Sequence, residues 1–482
     1  MASTGTHGGG PHAHGSETAD VFQWQTGDYC NRSAKIRQQA QTFEQSVVLA
    51  LHVSPESAGA VVCQGQPRRS SAAPFAVQCR FRHGRRCAPG VPVSERRYAD
   101  ARAVVEAIEP SYPVYCLSPR VVTDTARRFL KAFPGRVLYA VKCNPHPRVL
   151  RALWEAGVRH FDTASLPEIA QVAEAHPNAQ LYFMHPVKSR TVTNTAFDVY
   201  GIRDFVIDHP AELDKIIDAT NGESVNVYVR VKTPEAKAAF NLAAKFGAKP
   251  DTASALLKRV HKEGFRAGLS FHVGSQCLSP SAFGGALDIV GDVVASAGVD
   301  IQFLDVGGGF PAAYPEQASP PLEDYFRYIR EGVAALGLRN DCVLMCEPGR
   351  ALVADGCSLL TQVLLRKENE LYINDGIYGS LSELVLARMH LPVRLIRLDG
   401  ETSARFKPFK VYGPTCDSFD VLPHPFMLPD DVREDDWIEI GQIGAYSNAA
   451  ATRFNGFSAE TFVQVDQVLL PGDPSETTSA QV

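Results

Sequence analysis

Two segments of this chain combine residue types suited to covalent chemistry on a carbonyl group. Lys142 ends an apolar run at residues 138–141, and Asn144-Pro145 then breaks the strand-like pattern. Burial in apolar surroundings lowers the pKa of an amine and makes it nucleophilic, so Lys142 is a candidate Schiff-base residue. Much further along, Cys346-Glu347-Pro348-Gly349-Arg350 adds a carboxylate and a guanidinium. Taken alone, Lys142 is more typical of a rim lysine whose ammonium stays in water.

Composition narrows the class of protein. The chain has 482 residues, 45% hydrophobic and 21% charged, with a formal charge of -5 and eleven cysteines. This balance argues against nucleic acid or a membrane surface as the main partner and favours a small-molecule site. Cysteines without a Cys-x-x-Cys pair indicate neither a disulfide framework nor a metal site. No apolar run approaches about 18 residues and no signal pattern begins the chain, so we expect a cytoplasmic protein.

The middle of the chain alternates strand and helix patterns. Eight strand candidates lie at 137–143, 160–164, 180–185, 204–207, 225–231, 268–273, 302–306 and 342–346. Helical patterns lie between them at 147–156, 211–219, 253–263 and 322–336, and Ser165 with Glu168 forms a capping box before another helix. Eight such units predict an α/β fold, a closed (β/α)8 barrel, over residues 119–350.

The flanking regions differ from the barrel. Strand patterns with little helix at 359–365, 370–374, 393–398, 409–412, 437–440 and 462–465 predict an all-β domain over 351–470. Residues 96–118 precede the barrel and are expected to join that domain. Residues 1–95, rich in Gly, His, Ser and Pro with a basic cluster at 80–86, are expected to be disordered, as is the tail at 471–482.

The unusual residues fall where predicted strands end, which is where a barrel gathers its reacting groups. They are Lys142, Asp162, His185, His272 with Ser275, Gly307 to Gly309, and Glu347 with Arg350. Three glycines alone indicate only a flexible turn. Their position after the seventh predicted strand favours a phosphate site, because barrels often bind phosphate there.

Eight motifs in order carry a family resemblance. They are Tyr-Ala-Val-Lys-Cys-Asn at 139–144, Phe-Asp-Thr-Ala-Ser-Leu-Pro-Glu at 161–168, Ser-Phe-His-Val-Gly-Ser at 270–275, Leu-Asp-Val-Gly-Gly-Gly-Phe-Pro at 304–311, Cys-Glu-Pro-Gly-Arg at 346–350, Asn-Asp-Gly-Ile-Tyr-Gly-Ser at 374–380, Gly-Pro-Thr-Cys-Asp-Ser-Phe-Asp at 413–420 and Gly-Ala-Tyr at 444–446. From about residue 100 to about 466, the chain resembles the ornithine/diaminopimelate decarboxylase family of barrel-type (fold type III) pyridoxal-phosphate enzymes. The ornithine decarboxylase branch is the most similar.

The resemblance implies a cofactor, pyridoxal 5'-phosphate, and a role for each matching residue. Lys142 would bind the cofactor aldehyde, and Glu347 would keep the pyridine nitrogen protonated. His272 would stack on the ring, while Asp162 and Glu168 would orient Lys142. The phosphate contacts implied are Ser275, Gly307, Gly308, Gly309, Arg350 and Tyr446.

The resemblance also implies a homodimer that shares its active sites. Cys416 and Asp417 match residues that family members insert into the neighbouring subunit's site, where Cys416 would protonate the α-carbon after loss of CO2. The other reading of Cys416 is a buried small hydrophobe. Asp417, Tyr378 and Glu383 are the substrate-binding candidates. The implied reaction is decarboxylation of ornithine to putrescine or of lysine to cadaverine.

Two departures keep the substrate open. Ala387 stands where ornithine-preferring relatives carry an aspartate, and Asn241 where they carry an arginine. Arg388 would suit a carboxylated substrate such as diaminopimelate, and arginine is a further alternative. A non-catalytic protein like the antizyme inhibitors would have lost cofactor-site residues that persist here. A racemase would have a tyrosine base in place of the Cys-Asp pair.

Overall fold

The computed structural model describes residues 96–234, 238–240 and 245–473. The predicted disorder of residues 1–95 and of the end of the tail, and the departure at Asn241, lie outside these ranges. In the described part of the chain, no helix combines the length and apolarity that crossing a membrane requires.

Before the barrel come a short strand, β1 (Arg97–Tyr98), a helix, α1 (Ala101–Ile108), and a buried strand, β2 (Val114–Leu117). The Asp100 side chain accepts a hydrogen bond from the Ala103 N–H and so caps α1. The spacing of Val104, Val105 and Ile108 buries one face of this helix. Sequence analysis missed α1, although its cap and apolar spacing are both readable.

Eight parallel strands close into a barrel. They are β3 (Arg136–Ala140), β4 (His160–Thr163), β5 (Gln180–Phe183), β6 (Asp204–Ile207), β7 (Asn226–Arg230), β9 (Arg266–Ser270), β11 (Phe303–Asp305) and β12 (Val343–Cys346). β12 pairs with β3 to complete the ring. All eight predicted barrel strands are confirmed, and so is the fold class. Two further strands, β8 (Ala238–Phe240) and β10 (Ser275–Cys277), pair antiparallel outside the ring.

One helix precedes the first barrel strand, and seven connect consecutive strands of the ring. They are α2 (Pro119–Ala132), α3 (Pro147–Ala156), α4 (Leu166–Ala175), α5 (Arg190–Asp198), α6 (Pro210–Thr220), α7 (Pro250–Lys262), α8 (Ser281–Ala297) and α9 (Leu322–Ala335). Four of them begin with proline, whose fixed φ suits the first helical position. Half of the predicted capping box is present, since the Glu168 N–H donates to the Ser165 side chain, while the Glu168 carboxylate accepts from the Ala164 N–H, one residue before the N-cap.

Both faces of the barrel sheet are apolar, as a sheet covered by helices requires. Inside the ring lies a compact cluster of Leu138, Tyr182, Met184, Val206, Tyr228, Phe303 and Met345. Outside it, residues such as Phe161 and Phe205 pack in the layer between strands and helices. Because both faces of the sheet are apolar, the polar residues of the barrel lie mainly at the ends of its strands.

After the barrel the chain forms most of a nine-stranded mixed sheet. Its strands are β13 (Cys357–Lys367), β14 (Glu370–Ile373), β15 (Val393–Ile396), β16 (Phe406–Tyr412), β17 (Phe426–Pro429), β18 (Trp437–Ile440) and β19 (Thr461–Val465), joined by β1 and β2. Short helices α10 (Arg350–Val353), α11 (Ser382–Leu386) and α12 (Ser447–Ala450) lie along this part of the chain. β17 was not predicted. β2 pairs with β13 and β19, so the segment before the barrel is built into this sheet.

An aromatic cluster beside the barrel allows the packing of the core to be tested by substitution. Phe310 is buried, with its ring centroid 5.2 Å from that of Phe129 and 5.1 Å from that of Phe283. We expect Phe310→Ala to lower the free energy of unfolding by about 3–5 kcal/mol, because it leaves a cavity in a close-packed region. Val199→Ala, at a side chain that is 70% exposed, should change it by less than about 0.5 kcal/mol. Urea unfolding checks both, and similar effects of the two substitutions would contradict this account of the core.

Candidate active site

Lys142 lies just beyond a barrel strand, in a tight turn. β3 ends at Ala140, and Val141–Cys143 form a single 3-10 turn. The Lys142 Nζ atom donates a 2.8 Å hydrogen bond to Oδ2 of Asp162, which is buried near the end of the adjacent strand β4. The Lys142 side chain keeps 39% exposure, so a small molecule can reach it. Oδ1 of Asp162 is buried without a hydrogen-bond partner.

The turn that carries Lys142 is tied to the sheet domain. The Asn144 side chain donates a 2.8 Å hydrogen bond to the Gly444 carbonyl, and its Oδ1 accepts one from the His146 N–H. The Tyr446 N–H donates to the Cys143 carbonyl at 2.7 Å, with Tyr446 in the left-handed region at φ 61°. Residues on both sides of Lys142 are therefore held by the loop around Tyr446.

The charge state of Lys142 differs from the expectation drawn from the sequence. Burial lowers its pKa, as expected, but the carboxylates of Asp162 and Glu347 act in the opposite direction, and the net pKa is raised. Lys142 is therefore a charged ammonium at neutral pH. Asp162 lies within hydrogen-bond distance and stabilises this charged form of Lys142. Asp162 therefore holds Lys142 in place as an ammonium, and the amine that can attack an aldehyde forms only when this proton is lost.

Glu347 belongs to a buried group of acids. Its pKa is raised well above the ordinary range, first by burial and then by the neighbouring carboxyl groups of Asp305 and Asp162. Burial also raises the pKa of Asp305, to about 6. Two of these acids cannot both carry charge cheaply in a site that excludes water. The pair thus holds a proton that an aromatic ring nitrogen beside Glu347 would share.

His272 presents a neutral ring to the same site. Its Nδ1 accepts a 3.0 Å hydrogen bond from the Gly274 N–H, which leaves the ring proton on Nε2. Burial lowers its pKa well below the ordinary value, and the positive charges of Arg230 and Lys142 lower it further. A flat neutral ring is suited to stacking on another aromatic ring.

The three-glycine segment forms a cradle with no side chains. Gly307 has φ 66° and Gly309 has φ 105°, a region that other residues rarely adopt. A Cβ on Gly308 would lie 2.5 Å from the Glu347 carbonyl oxygen and 3.0 Å from His272 Nε2. The backbone here approaches the site closely, as a phosphate-binding loop must.

Arg350 lies buried beside this cradle, at the start of α10. Its Nη1 donates to the Tyr314 hydroxyl at 3.0 Å, and its Nη2 donates to Ser275 Oγ at 3.3 Å. Nη2 also lies 2.6 Å from Oε2 of Glu383. The guanidinium carbon is 5.1 Å from the ring centroid of Tyr446.

The residues predicted to bind the substrate lie in two different places. Asp417 accepts hydrogen bonds from the Tyr378 hydroxyl at 2.6 Å and from the Phe419 N–H at 2.9 Å, and these two contacts lower its pKa. Cys416, next to it, is exposed. Glu383 instead lies buried against Arg350, at the end of the site where phosphate is expected. Tyr378 and Asp417 are therefore together, and Glu383 is elsewhere.

Some neighbours of the site were not singled out from the sequence. Asp305 ends β11 and accepts a hydrogen bond from the Gly307 N–H through Oδ1, while its Oδ2 has no partner. Arg230 ends β7, and its charge acts on His272. Each is a charged residue at a predicted strand end, and that signal could have identified both. Over the described ranges, no group of three or more side chains could hold a metal ion.

The fold and the site together define the class of protein. At the carboxyl ends of the barrel strands lie a lysine, a buried pair of acids, a neutral histidine ring and a glycine loop suited to phosphate, as in enzymes that bind a phosphorylated cofactor. A family profile described as "Pyridoxal-dependent decarboxylase, pyridoxal binding domain" matches residues 119–354. The chain belongs to this family of fold type III pyridoxal-phosphate decarboxylases, near ornithine decarboxylase.

Individual relatives show the range within the family. A lysine/ornithine decarboxylase of Selenomonas ruminantium is 35% identical over 341 residues, covering 69% of this chain and 84% of the relative. Antizyme inhibitor 2 of Xenopus laevis is 30% identical over 361 residues, covering 68% and 76%. The crystal structure of an arginine decarboxylase from Paramecium bursaria Chlorella virus is similar at a TM-score of 0.68 and 28% identity, covering 75% and 98%.

The cofactor of the family, pyridoxal phosphate, fits the residues of this site. Asp162 Oδ1 and Arg350 Nε are buried polar atoms without partners, at the lysine end and the phosphate end respectively. The side-chain-free cradle of Gly307 to Gly309 supplies the close backbone approach that a phosphate needs.

The acid pair gives the cofactor-free protein a defined pH dependence. Between the ordinary pKa of 3.8 and the raised value of about 6 at Asp305, the folded chain binds more protons than the unfolded chain. Stability therefore falls as the pH rises through this window. Asp305→Asn removes the penalty and should raise the free energy of unfolding by roughly 3 kcal/mol at pH 7, with little effect below pH 4. Urea unfolding of cofactor-free protein across this pH range checks it, and parallel curves for both proteins would contradict it.

Proposed function

We propose that the protein decarboxylates a basic L-amino acid, ornithine or lysine, to putrescine or cadaverine. The observation that carries this proposal is the Lys142–Asp162 pair facing the buried acid group of Glu347 and Asp305. This arrangement serves a cofactor that must be held by an amine at one end and kept protonated at its ring nitrogen. Family membership supports the reaction class.

When bound, pyridoxal phosphate supplies an electron sink for the pair of electrons left on the substrate's α-carbon as CO2 departs. In our proposal Lys142 would bind the cofactor aldehyde, and Asp162, which accepts a hydrogen bond from Nζ at 2.8 Å, would orient Lys142 for it. Glu347 keeps a proton at the ring nitrogen. His272, neutral, covers the ring face. Ser275, Gly307 to Gly309, Arg350 and Tyr446 hold the phosphate.

Asp417 is the proposed recognition group for the distal ammonium of the substrate. The Phe419 N–H and the Tyr378 hydroxyl stabilise its charged form, so it presents a carboxylate at neutral pH. Ala387 is buried and contributes no second carboxylate. Arg388 is exposed. One carboxylate suits a substrate with one distal cation, as in ornithine, lysine or arginine.

We further propose a homodimer in which Cys416 and Asp417 complete the neighbouring subunit's site. Cys416 is exposed, which does not fit the alternative reading as a buried hydrophobe. The side chain of Phe419, close by, is 75% exposed, an apolar surface of the kind that a partner covers. In the partner's site Cys416 would return a proton to the α-carbon.

A binding protein without activity is the second candidate, because antizyme inhibitor 2 is among the similar proteins. The intact Lys142–Asp162 pair and the open glycine cradle favour the enzyme. A cytoplasmic location stays a prediction. Its support is that the seven cysteines of the described residues are all free.

Product analysis tests the reaction directly. Cofactor-loaded protein incubated with L-ornithine, L-lysine, L-arginine or meso-diaminopimelate should yield a diamine from ornithine or lysine, detected by mass spectrometry. Lys142→Ala should abolish both the absorbance of the bound cofactor and product formation, because no other residue type can replace the amine. Lys249→Ala, at an exposed lysine before α7, is the matched control and should behave as wild type. Cofactor binding with no product from any substrate would support the binding-protein alternative.

The shared site has its own test. Lys142→Ala and Cys416→Ala subunits, each impaired alone, should regain activity when they are mixed and allowed to exchange. A heterodimer then holds one site with both native residues, so random mixing restores about a quarter of wild-type activity. Failure to regain activity, although exchange is shown by native mass spectrometry, would mean that Lys142 and Cys416 do not meet across an interface.

A further inference from the structure

A buried carboxylate stands at the end of the site that is expected to hold phosphate. Glu383, in the first turn of α11, lies 2.6 Å through Oε2 from Nη2 of Arg350. The side chains of Glu383 and Arg350 are 8% and 2% exposed. Water therefore does little to screen the charge of Glu383 from anything bound there.

The contacts of Arg350 show which of its N–H groups the Glu383 carboxylate uses. Nη2 is shared between Glu383 and Ser275, while Nη1 is directed to Tyr314. Nε is buried and has no partner. A guanidinium binds phosphate through parallel N–H groups, and Glu383 already accepts from Nη2 of this fork at 2.6 Å. The Nε–H of Arg350 is therefore available to a ligand, while Nη2 is already bonded to the carboxylate of Glu383.

We propose that Glu383 is a placeholder anion that competes with the cofactor's phosphate for Arg350. This inference rests on the proposed function only in taking pyridoxal phosphate as the ligand. In the cofactor-free chain the carboxylate neutralises a guanidinium that would otherwise be buried without an anion, which is strongly unfavourable. In the loaded chain the phosphate and the carboxylate are two anions beside one cation, so the phosphate must displace the carboxylate or tolerate its charge.

The consequence is a limit on cofactor affinity that is built into the site. A phosphate group carries close to two negative charges at neutral pH, and its attraction to Arg350 is offset by repulsion from Glu383. The part of the binding free energy that comes from the phosphate should therefore be smaller than a site without Glu383 would provide. The role is distinct from binding the substrate's distal ammonium, where Asp417 and Tyr378 lie.

Comparing two aldehydes isolates the phosphate. Full-length cofactor-free protein is dialysed to equilibrium against pyridoxal phosphate or against pyridoxal, which lacks the phosphate. Glu383→Gln should lower the Kd for pyridoxal phosphate by at least about tenfold and leave the Kd for pyridoxal unchanged. Cofactor-free Glu383→Gln should also melt at a lower temperature than wild type, and inorganic phosphate should raise its Tm more than it raises the wild-type Tm.

Two further variants serve as controls for the effect of Glu383→Gln on the Kd for pyridoxal phosphate. Glu439 is fully buried and pairs with Arg394 in the sheet domain, 2.5 Å apart. Glu439→Gln makes the same chemical change at a buried glutamate that also pairs with an arginine, and it should leave both Kd values unchanged. Glu383→Asp shortens the side chain by one methylene and keeps the charge, so it should shift the Kd for pyridoxal phosphate less than Glu383→Gln does.

Several outcomes would overturn the proposal. An equal or higher Kd for pyridoxal phosphate in Glu383→Gln would show that Glu383 only aligns Arg350. Equal gains for both aldehydes would place the effect away from the phosphate. If wild-type protein binds neither aldehyde, the proposed function fails, but the Tm shift with inorganic phosphate still decides whether Glu383 competes for Arg350.

Discussion

Charge buried at the carboxyl ends of the barrel strands is the constraint that the site is built to meet. Asp162, Asp305 and Glu347 bring three acids together, and the positive charges of Lys142 and Arg230 act on them. The protein accommodates them by pairing Lys142 with Asp162 and by keeping a proton on the acid group of Glu347 and Asp305. The same arrangement places a lysine at one end of the site and a protonated acid at the other, as the cofactor requires.

The second requirement is that the loops stay in place around this charge. The Lys142 turn is hydrogen-bonded through Asn144 and Cys143 to the loop at Gly444 and Tyr446. The barrel and the mixed sheet therefore build the site jointly, and the strand before the barrel is part of that sheet. A second buried pair, Arg350 with Glu383, satisfies the charge at the phosphate end. Both ends of the site thus hold an ion pair that a ligand must reorganise.

Much of this was readable from the sequence because it is local. Short apolar runs ending in polar residues predicted every barrel strand, and motif order indicated the family. What could not be read depends on contacts between distant segments. The raised pKa of Lys142 arises from Asp162 and Glu347, and the position of Glu383 depends on α11 packing against Arg350. Asp305 and Arg230 were missed for a different reason: each is one charged residue at a strand end, and neither was weighed as such.

The central claim is that Lys142 is the residue that binds the cofactor. The direct measurement is borohydride reduction of the full-length protein loaded with pyridoxal phosphate, followed by digestion and peptide mass spectrometry. The account predicts one stable adduct, on the peptide that contains Lys142, and its loss in Lys142→Ala. An adduct on another lysine, such as the fully buried Lys188, or no adduct at all, would contradict it.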